Sequence, residues 1–387
     1  MNDIYLDHAA TTPLHPAVLE RMLPYLSGLS GFGNPSSTHR FGMAARMAVS
    51  DARDLLAAKL HCDGRQLVFT SGGTESDNLA IFGAIAATGG QKRHIITSQI
   101  EHHAVLHACE QLERAGHDVT YIPVDTTGLI RFEELERAIR PDTTLISIMY
   151  GNNEVGTLQP IQTIGELARS KGILFHVDAI QALGHIPVDV TKLPVDLMSF
   201  SAHKIQGPKG TGALYVSPKA KILPQLFGGS QERKRRAGTE NVAGIVGFAA
   251  AAELAVDHIG LLQQSCAKLR QSMVGTLEEA LGEDGFVMNG HPDAECRLPH
   301  IVNVSFPGVD TETLLMNLDL EGIAAASGSA CTSGSLEVSH VLRAMQLPER
   351  VLTSAVRFSF GINQPEDEIV RAAKQAATIV ERIRSKK

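Results

Sequence analysis

The chain has 387 residues, a formal net charge of −7, and 43% hydrophobic against 20% charged residues. That is long enough to bury a full core, and it leaves room for about two to three domains or for one large domain with a smaller one. The balance is that of an ordinary soluble globular protein and argues against a general nucleic-acid binder. The basic run Arg233-Lys-Arg-Arg236 is a local exception, divided evenly between a solvated loop and an anion-binding role. The five cysteines, Cys62, Cys109, Cys266, Cys296 and Cys331, are scattered and form no C-x-x-C pair. That suits reduced thiols in a cytoplasmic protein rather than a disulfide framework or a zinc ribbon. The first residues lack a basic region followed by an apolar core, so no signal peptide is expected. The apolar runs are interrupted, so no membrane span is expected.

In chain order, Ile4 to Pro13 starts extended and ends in a turn signal, and Pro16 to Leu26 reads as a short helix. Residues 31–37 are a loop by composition. Ala44, Ala48, Ala52, Leu55 and Leu56 fall at helical spacing and predict a helix over 38–60. Strand–helix alternation follows. Strands are expected at 66–70, 94–97, 119–123, 145–149, 173–177, 195–200 and 213–216. Helices are expected from the Ser71-Gly-Gly-Thr74 turn to about Ala87, and over 102–115, 132–139 and 161–171. Alternation with continuously apolar strands predicts an α/β domain with a mainly parallel sheet flanked by helices. Ligands of such sheets sit at the carboxyl ends of the strands, where loops holding Thr74, His102, Asn153, Asp178 and Lys204 can converge. The stretch 241–281 is alanine-rich and helical, and a boundary is placed within it near His258. Strands at 301–306 and 355–360 and helices at 311–320 and 366–383 then predict a smaller α+β domain. The expected division is a large domain over 16–258, a small one over 259–387, and an N-terminal segment, 1–15, packing with the small one.

The most informative stretch runs from Val195 to Gly212. An apolar strand delivers Ser201, His203 and Lys204 to its end, and a glycine-rich turn follows. Burial beside a strand costs a lysine its charge. That cost becomes useful where a neutral amine must form a Schiff base. A second strand end, Phe175-His-Val-Asp178-Ala-Ile-Gln181, supplies a carboxylate. A lysine with a carboxylate partner for a pyridinium nitrogen is the pattern of a pyridoxal 5′-phosphate (PLP) site.

Other motifs carry less alone. Ser71-Gly-Gly-Thr-Glu-Ser76 can present backbone N–H groups to a phosphate at a helix start, although Thr74 can equally be a simple cap. His102 and His103 can stack on a planar cofactor or shuttle a proton, or merely begin a helix. Asn152 and Asn153 serve a turn or a ligand. His176-x-Asp178 has metal-like spacing but no third ligand with credible spacing, so zinc ranks well behind PLP and no metal is expected. Cys331 lies among serines and glycines without an apolar run to pack it, which modestly favours a thiol that travels between sites. Arg357 stands in an apolar strand and needs an anion, either a structural carboxylate or that of a substrate.

Together these motifs resemble the cysteine desulfurases, fold-type I PLP enzymes of the aminotransferase class V superfamily. The resemblance runs nearly end to end: Tyr5 to Pro13, Asn34 to His39, Phe69 to Ser76, Glu101 to Val105, Asn152 to Glu154, His176 to Ala179, His203-Lys204, Gly207 to Gly210, Arg236 to Glu240 and Ser327 to Ser333. The last motif is similar to the NifS/IscS-like group rather than the SufS-like group. The resemblance implies that Lys204 holds PLP covalently and later moves the Cα proton. Asp178 would pair with the ring nitrogen, Gln181 contact the ring hydroxyl, and His102 stack on the ring. Thr74, Ser201 and His203 would bind the phosphate beside Gly73, with Thr239 reaching it from the partner subunit of a homodimer. Asn34, Asn153 and Arg357 would hold the carboxylate of the substrate, L-cysteine, and Cys331 would take its sulfur as a persulfide, releasing L-alanine. The implied acceptors are an iron–sulfur scaffold or a tRNA-thiolating enzyme, with no direct nucleic-acid contact. Gly73 stands where alanine is common in the family, a departure expected to be mild. The chain stops soon after its last helix, where IscS-type members often carry a longer tail, which leaves the acceptor open. A selenocysteine lyase or an aminotransferase is the runner-up, and the Cys331 motif separates it. A non-catalytic relative would lack Lys204 or the phosphate cup.

Overall fold

Residues 3–27, 31–89, 91, 93–328 and 338–386 are described by a computed structural model. The strands are β1 (Ile4–Tyr5), β2 (Leu67–Thr70), β3 (His94–Ser98), β4 (Asp118–Ile122), β5 (Thr143–Ser147), β6 (Leu174–Asp178), β7 (Leu197–Ser201), β8 (Gly212–Val216), β9 (Val287–Asn289), β10 (Ile301–Ser305), β11 (Ile323–Ala324) and β12 (Ala355–Ser359). The helices are α1 (Pro16–Leu26), α2 (Arg40–Leu60), α3 (Gly73–Ala86), α4 (His103–Arg114), α5 (Phe132–Ala138), α6 (Ile161–Lys171), α7 (Val242–Asp257), α8 (Ile259–Leu281), α9 (Thr311–Leu320), α10 (His340–Ala344), α11 (Glu349–Leu352) and α12 (Glu366–Arg384).

A seven-stranded sheet runs in the order β2-β8-β7-β6-β5-β3-β4. Only β8 opposes its neighbours; the pairings among β3 to β7 are parallel. Side chains alternate between faces along a strand, and this chain supplies an apolar residue for each face. Val68, Ile95, Leu145, Leu197 and Leu214 pack into one core with Ile81 of α3 and Val105 of α4. Their neighbours Phe69, Ile96, Ile146, Met198 and Ala213 pack into the other with Leu56 of α2, Ile164 of α6 and Phe248 of α7. Both faces are covered, which explains why these strands read as continuous apolar runs.

A third apolar core holds the antiparallel sheet β12-β10-β9 with α8, α9 and α12. Ile4 and Leu6 enter this core, and β1 pairs in parallel with β11. The helical stretch 241–281 breaks at His258, where α7 and α8 meet at 67°. No single helix among the described residues is long and apolar enough to cross a membrane.

Most expected elements lie within one or two residues of their observed ends; α1, α6 and α9 have the expected ends. The strand expected over 145–149 instead spans Thr143–Ser147. Past Ser147 the backbone still bonds to β6, with Ile148 N–H on the His176 carbonyl (3.1 Å) and Tyr150 N–H on the Asp178 carbonyl (2.8 Å), while Met149 N–H turns to the Glu101 carboxylate (3.1 Å). The short elements β1, β9, β11, α10 and α11 carry too few residues for a periodic signal.

The basic run is largely engaged in structural contacts. Arg236 forms two bonds to Glu75, at 2.8 and 3.1 Å, and Arg235 donates to the Arg65 carbonyl. Just before it, buried Glu232 takes a bidentate pair from Arg53 at 2.5 and 3.0 Å and accepts from Phe69 N–H. This pair fastens the 230–236 loop to α2 and the edge strand β2. Removing one partner of a buried ion pair leaves an uncompensated charge, so Glu232→Ala is expected to lower unfolding free energy by about 3–5 kcal/mol in urea denaturation.

Candidate active site

Five strand ends of the large sheet border one cavity of about 420 Å³. Lining it are Gly73 and Thr74 after β2, His102 after β3, Asn153 after β5, Asp178 and Gln181 at β6, and Ser201, His203 and Lys204 at β7. Asp7, Ala9 and Ala10 from the N-terminal segment and Arg357 from β12 form further parts of the walls. The volume suits a small cofactor with its substrate.

Lys204 ends a short 3₁₀ turn, Ala202–Lys204, directly after β7. Its Nζ donates to the carbonyls of Ala9 and Ala10, both at 2.7 Å. Burial, then the charge of Arg357, lowers its pKa to about 8, against the opposing pull of Asp178 and Asp7. Asp178 is buried and accepts the Ile180 N–H at 2.9 Å; burial raises its pKa to about 6, and the Lys204 charge acts against that rise. Below it lie two further buried carboxyl groups. Burial pushes Glu101 up to about 8, while Asp77 is raised by burial and then by the charge of Asp178. His176, read from its spacing as a weak metal candidate, is sandwiched by Ser147 at 2.8 Å and Ser199 at 2.9 Å, with Asp77 at 3.6 Å. Burial keeps its imidazole neutral, at about 3.

The other end of the cavity is built for an anion. Gly72 adopts φ 151°, which glycine alone tolerates readily, and α3 starts there with no side-chain cap. Its first N–H groups and the Thr74 hydroxyl therefore face open space. Ser201 Oγ is buried and has no partner, and neither has Gln181 Oε1. Gln181 is oriented by its amide, which donates to the Ala9 carbonyl (2.9 Å). His203 Nδ1 pairs with Thr11 Oγ1 at 3.1 Å. Unpartnered buried groups at both ends of the cavity, a carboxylate at one and an uncapped helix start at the other, fit PLP: ring nitrogen toward Asp178, ring hydroxyl toward Gln181, phosphate toward α3 and Ser201.

His102 opens onto the cavity while its Nδ1 accepts from Ala104 N–H (3.1 Å), so it is both a helix cap and a cavity group. Burial first, then the Lys204 charge, holds its pKa below the ordinary range. Arg357 is buried; it donates to Asp7 Oδ1 and to the Asn153 carbonyl, at 2.7 and 2.8 Å, and its Nε has no partner.

Two expected residues lie elsewhere. Asn34 is exposed, does not line the cavity, and spends its side-chain oxygen on Ser36 N–H within its own turn. Thr239 is likewise exposed and outside the cavity of its own chain. Cys331 lies outside the described residues. Asp7, Ala9 and Ala10 were not singled out beforehand; the only signal was an acid next to an apolar start in Tyr5-Leu-Asp-His-Ala-Ala10.

The sequence matches the aminotransferase class-V family over residues 4–371. It is 48% identical to the cysteine desulfurase IscS of Methanosarcina thermophila, over 99% of this chain and 93% of that one. The chain belongs to the class-V aminotransferase family, among its PLP-dependent cysteine desulfurases. The fold agrees: a NifS-like protein superposes with a TM-score of 0.91 at 37% identity, covering 98% of this chain and 99% of that one. A structure titled SspA in complex with cysteine superposes at 0.80 with 37% identity, covering 92% and 98%.

Gly73, where many relatives in this family are expected to carry alanine, is not a neutral position here. A Cβ at 73 would stand 2.1 Å from Ile180 Cδ1 and 2.9 Å from its Cγ1. The tip of the isoleucine occupies the space of the missing methyl group; Ile180 is half-buried and lines the cavity, so its side chain can turn aside, and the departure is coupled to its rotamer. Gly73→Ala is expected to cost about 0.5–1.5 kcal/mol in urea denaturation, the range for a side chain pushed off its rotamer, and Ile180→Ala in the same chain should recover most of it.

Lys204 generates a pH prediction. A lowered ammonium pKa leaves more neutral amine at a given pH, and only the neutral amine is nucleophilic. Covalent uptake of PLP by the apoprotein, followed by absorbance, should therefore accelerate with pH and level off above about 8. A rate that keeps climbing into the ordinary lysine range would refute the assignment.

Proposed function

We propose that this cavity removes the sulfur of L-cysteine and passes it to Cys331, releasing L-alanine, and that the arrangement of Lys204 between Asp178, the Ala9 and Ala10 carbonyls and Arg357 carries the reaction. When bound, PLP supplies an electron sink that makes the substrate Cα proton removable and prepares the bond from carbon to sulfur for cleavage. Lys204 holds the cofactor and then, freed as an amine of lowered pKa, accepts and returns the Cα proton. Asp178 keeps a proton on the ring nitrogen, and Gln181 Oε1 meets the ring hydroxyl. Thr74, Ser201, His203 and the Gly73 and Thr74 amides hold the phosphate. His102 covers the ring and assists proton transfer through the nitrogen that its cap leaves free.

Arg357 and Asn153 orient the substrate carboxylate. The unpartnered Nε and the shared Asp7 contact support this role for Arg357, since an incoming carboxylate can displace Asp7 from half of the guanidinium. Asn34 enters the same role only if its turn reopens. In the sulfur transfer, the substrate bond between Cβ and sulfur breaks and a sulfur–sulfur bond forms at Cys331. The hydrogen released by the thiol completes the methyl group of alanine, so atoms and electrons balance without an external oxidant.

The persulfide then serves an acceptor protein. Iron–sulfur cluster assembly is the typical role of such enzymes, and tRNA thiolation is a second outlet. A homodimer in the cytoplasm is part of this reading. What supports it is Thr239, exposed and absent from the lining of its own chain's cavity, three residues after Arg236, which pairs with Glu75 beside Thr74. We also read 16–258 as the cofactor-binding unit and 259–387 as the smaller one, supported by the two separate cores and the break at His258.

The deciding assay feeds L-cysteine to wild type and to Cys331→Ala, measuring alanine, sulfide and pyruvate with and without a thiol reductant. Alanine should match sulfide in wild type, and both should fall to background in the variant although its cofactor content is normal. Pyruvate as the product, or turnover indifferent to Cys331, would move the reaction to a lyase or a transferase.

A further inference from the structure

Lys204 borders a further cavity, of about 490 Å³, walled by the N-terminal segment, the turn after β6, the break between α7 and α8, and the residues that follow β12. It is as roomy as the cavity that fits PLP, and among the described residues Lys204 alone lines both. Its shape is set at Gly184. That residue has φ 76°, and a Cβ there would stand 2.6 Å from Ala255 Cβ and 2.8 Å from Ile205 Cγ2. Only glycine lets the turn that carries His185 approach α7 so closely.

Four imidazoles, of His8, His15, His185 and His258, join the Lys204 side chain in the lining, and among the described residues no carboxylate does. His15 Nδ1 accepts from Ala17 N–H (3.1 Å), and His258 Nδ1 donates to the Leu254 carbonyl (2.7 Å). His8 and His185 differ: the Nδ1 of each is buried without a hydrogen-bond partner. His185 is only 8% exposed and stacks on His300, with ring centroids 3.7 Å apart and planes 19° from parallel. His300 is fully buried, and neither of its nitrogens has a partner. Buried polar atoms in this condition, beside open space, are the mark of a site that a ligand completes.

Charge sets the sign of that ligand. Burial first, then the charges of His8 and Lys204, lower the His185 pKa to about 4, against hydrogen bonds to main-chain carbonyls. His300 is lowered by burial and then by His185, His8, Arg357 and Lys204. Asp7 acts on His8 in the opposite direction, but its carboxylate is paired with Arg357 at 2.7 Å. A positive field, imidazole donors and no acid in the wall are complementary to an anion. The other wall is apolar, made by Leu254, Leu261, Leu262, Phe360 and Ile362. An inorganic anion would leave that wall unmatched, whereas an anion with a hydrocarbon body would cover it.

We propose that this cavity binds a small organic carboxylate, its charged end at His185 and His8 and its apolar body against α7 and α8, and that the occupant biases the cofactor site through Lys204. An anion beside Lys204 favours the protonated form of its nitrogen. The same anion offsets the field that keeps His185 neutral, so binding takes up protons and tightens as the pH falls. The site stands on its own lining; the bias rests on the reading of Lys204 as the residue that holds PLP.

Hexanoate is the probe, titrated by calorimetry into holoenzyme saturated with L-alanine, which keeps the probe away from Arg357. Binding is expected with a Kd on the order of 1 mM, the affinity within reach of so small a ligand. It should tighten between about pH 8 and about pH 6. Hexanol and hexylammonium should each bind at least about 10-fold more weakly. His185→Phe keeps a ring on His300 but removes the nitrogens, and should weaken hexanoate on the order of 10-fold, the loss of one hydrogen bond to a charged group. Leu261 is 62% exposed, so Leu261→Asp adds an acid to the rim without touching a core. It should weaken hexanoate by a similar factor and Leu261→Asn should not, which keeps the test open if His185→Phe fails to fold. Absent hexanoate binding, equal affinity for hexanol, or affinity unchanged in both His185→Phe and Leu261→Asp would overturn the site. For the bias, the absorbance of bound PLP is followed against pH without L-alanine. Hexanoate should move its midpoint to higher pH in wild type and not in Leu261→Asp. An unmoved midpoint, or one that moves equally in Leu261→Asp, would overturn the bias and leave the site. Covalent PLP retained by Lys204→Ala after borohydride reduction, read by mass, would instead overturn the reading on which the bias rests.

Discussion

A lysine amine held in an apolar interior is the constraint on which the architecture of this site depends. Lys204 is delivered by β7, whose own side chains are committed to the two cores, so its amine has to be solvated by protein. Two main-chain carbonyls do this, those of Ala9 and Ala10. They belong to a segment that the large sheet cannot position by itself. Ile4 and Leu6 lie in the other core, β1 is paired with β11, and Ser359 of β12 accepts from Ala9 N–H at 2.9 Å. The amine is thus suspended between the two cores, and the integrity of the small sheet is felt at a residue of the large one.

Charge in the cavity is arranged with the same economy. Lys204 and Arg357 oppose each other, and each has an acid close by, Asp178 and Asp7. Three buried carboxyl groups, Asp77, Glu101 and Asp178, cannot all ionise in so little space. Donors alone do not decide which does, since Glu101 has two and Asp178 one; the Lys204 charge beside Asp178 does. Asp178 receives a backbone N–H and the Lys204 field, whereas the oxygens of Asp77 have no hydrogen-bond partner. Glu101 has donors on one oxygen only, from Ser98 and Met149. The negative charge therefore resides on the group that faces the cavity, where a cationic ring nitrogen would meet it. Neutral His176, locked between two serines, adds no charge of its own.

Much of this was legible in the sequence, because the signals were periodic or chemically expensive. Paired apolar neighbours such as Val68-Phe69 and Leu145-Ile146 announce strands covered on both faces. A lysine, an acid and a serine placed at the ends of such strands announce convergence at one sheet edge. What stayed hidden is what depends on tertiary geometry. Ala9 and Ala10 act through carbonyls, which no side-chain pattern reveals. Glu154 carried no reading of its own, because its partner Ser339 lies 185 positions away. The coupling of Gly73 to Ile180 needs a distance, not a composition. Asn34 shows the opposite case: a polar residue in a suggestive motif whose side chain serves its own turn.

Thiol chemistry gives the final restriction. Sulfur transfer needs a thiolate, and burial in apolar surroundings withholds it. Cys109 is packed between α4 and the sheet, Cys266 lies in the small core, and Cys62 sits at the end of α2; burial pushes all three thiols up to about 12. Cys296 lies in a short turn before β10 and does not line the cavity. None of these four lines the cavity that holds Lys204. The remaining cysteine, Cys331, is the one flanked by residues that return to the cavity wall, Gly328 and His340 among them. Burial thus disfavours a thiolate at Cys62, Cys109 and Cys266, which is why the proposed reaction assigns the sulfur transfer to Cys331.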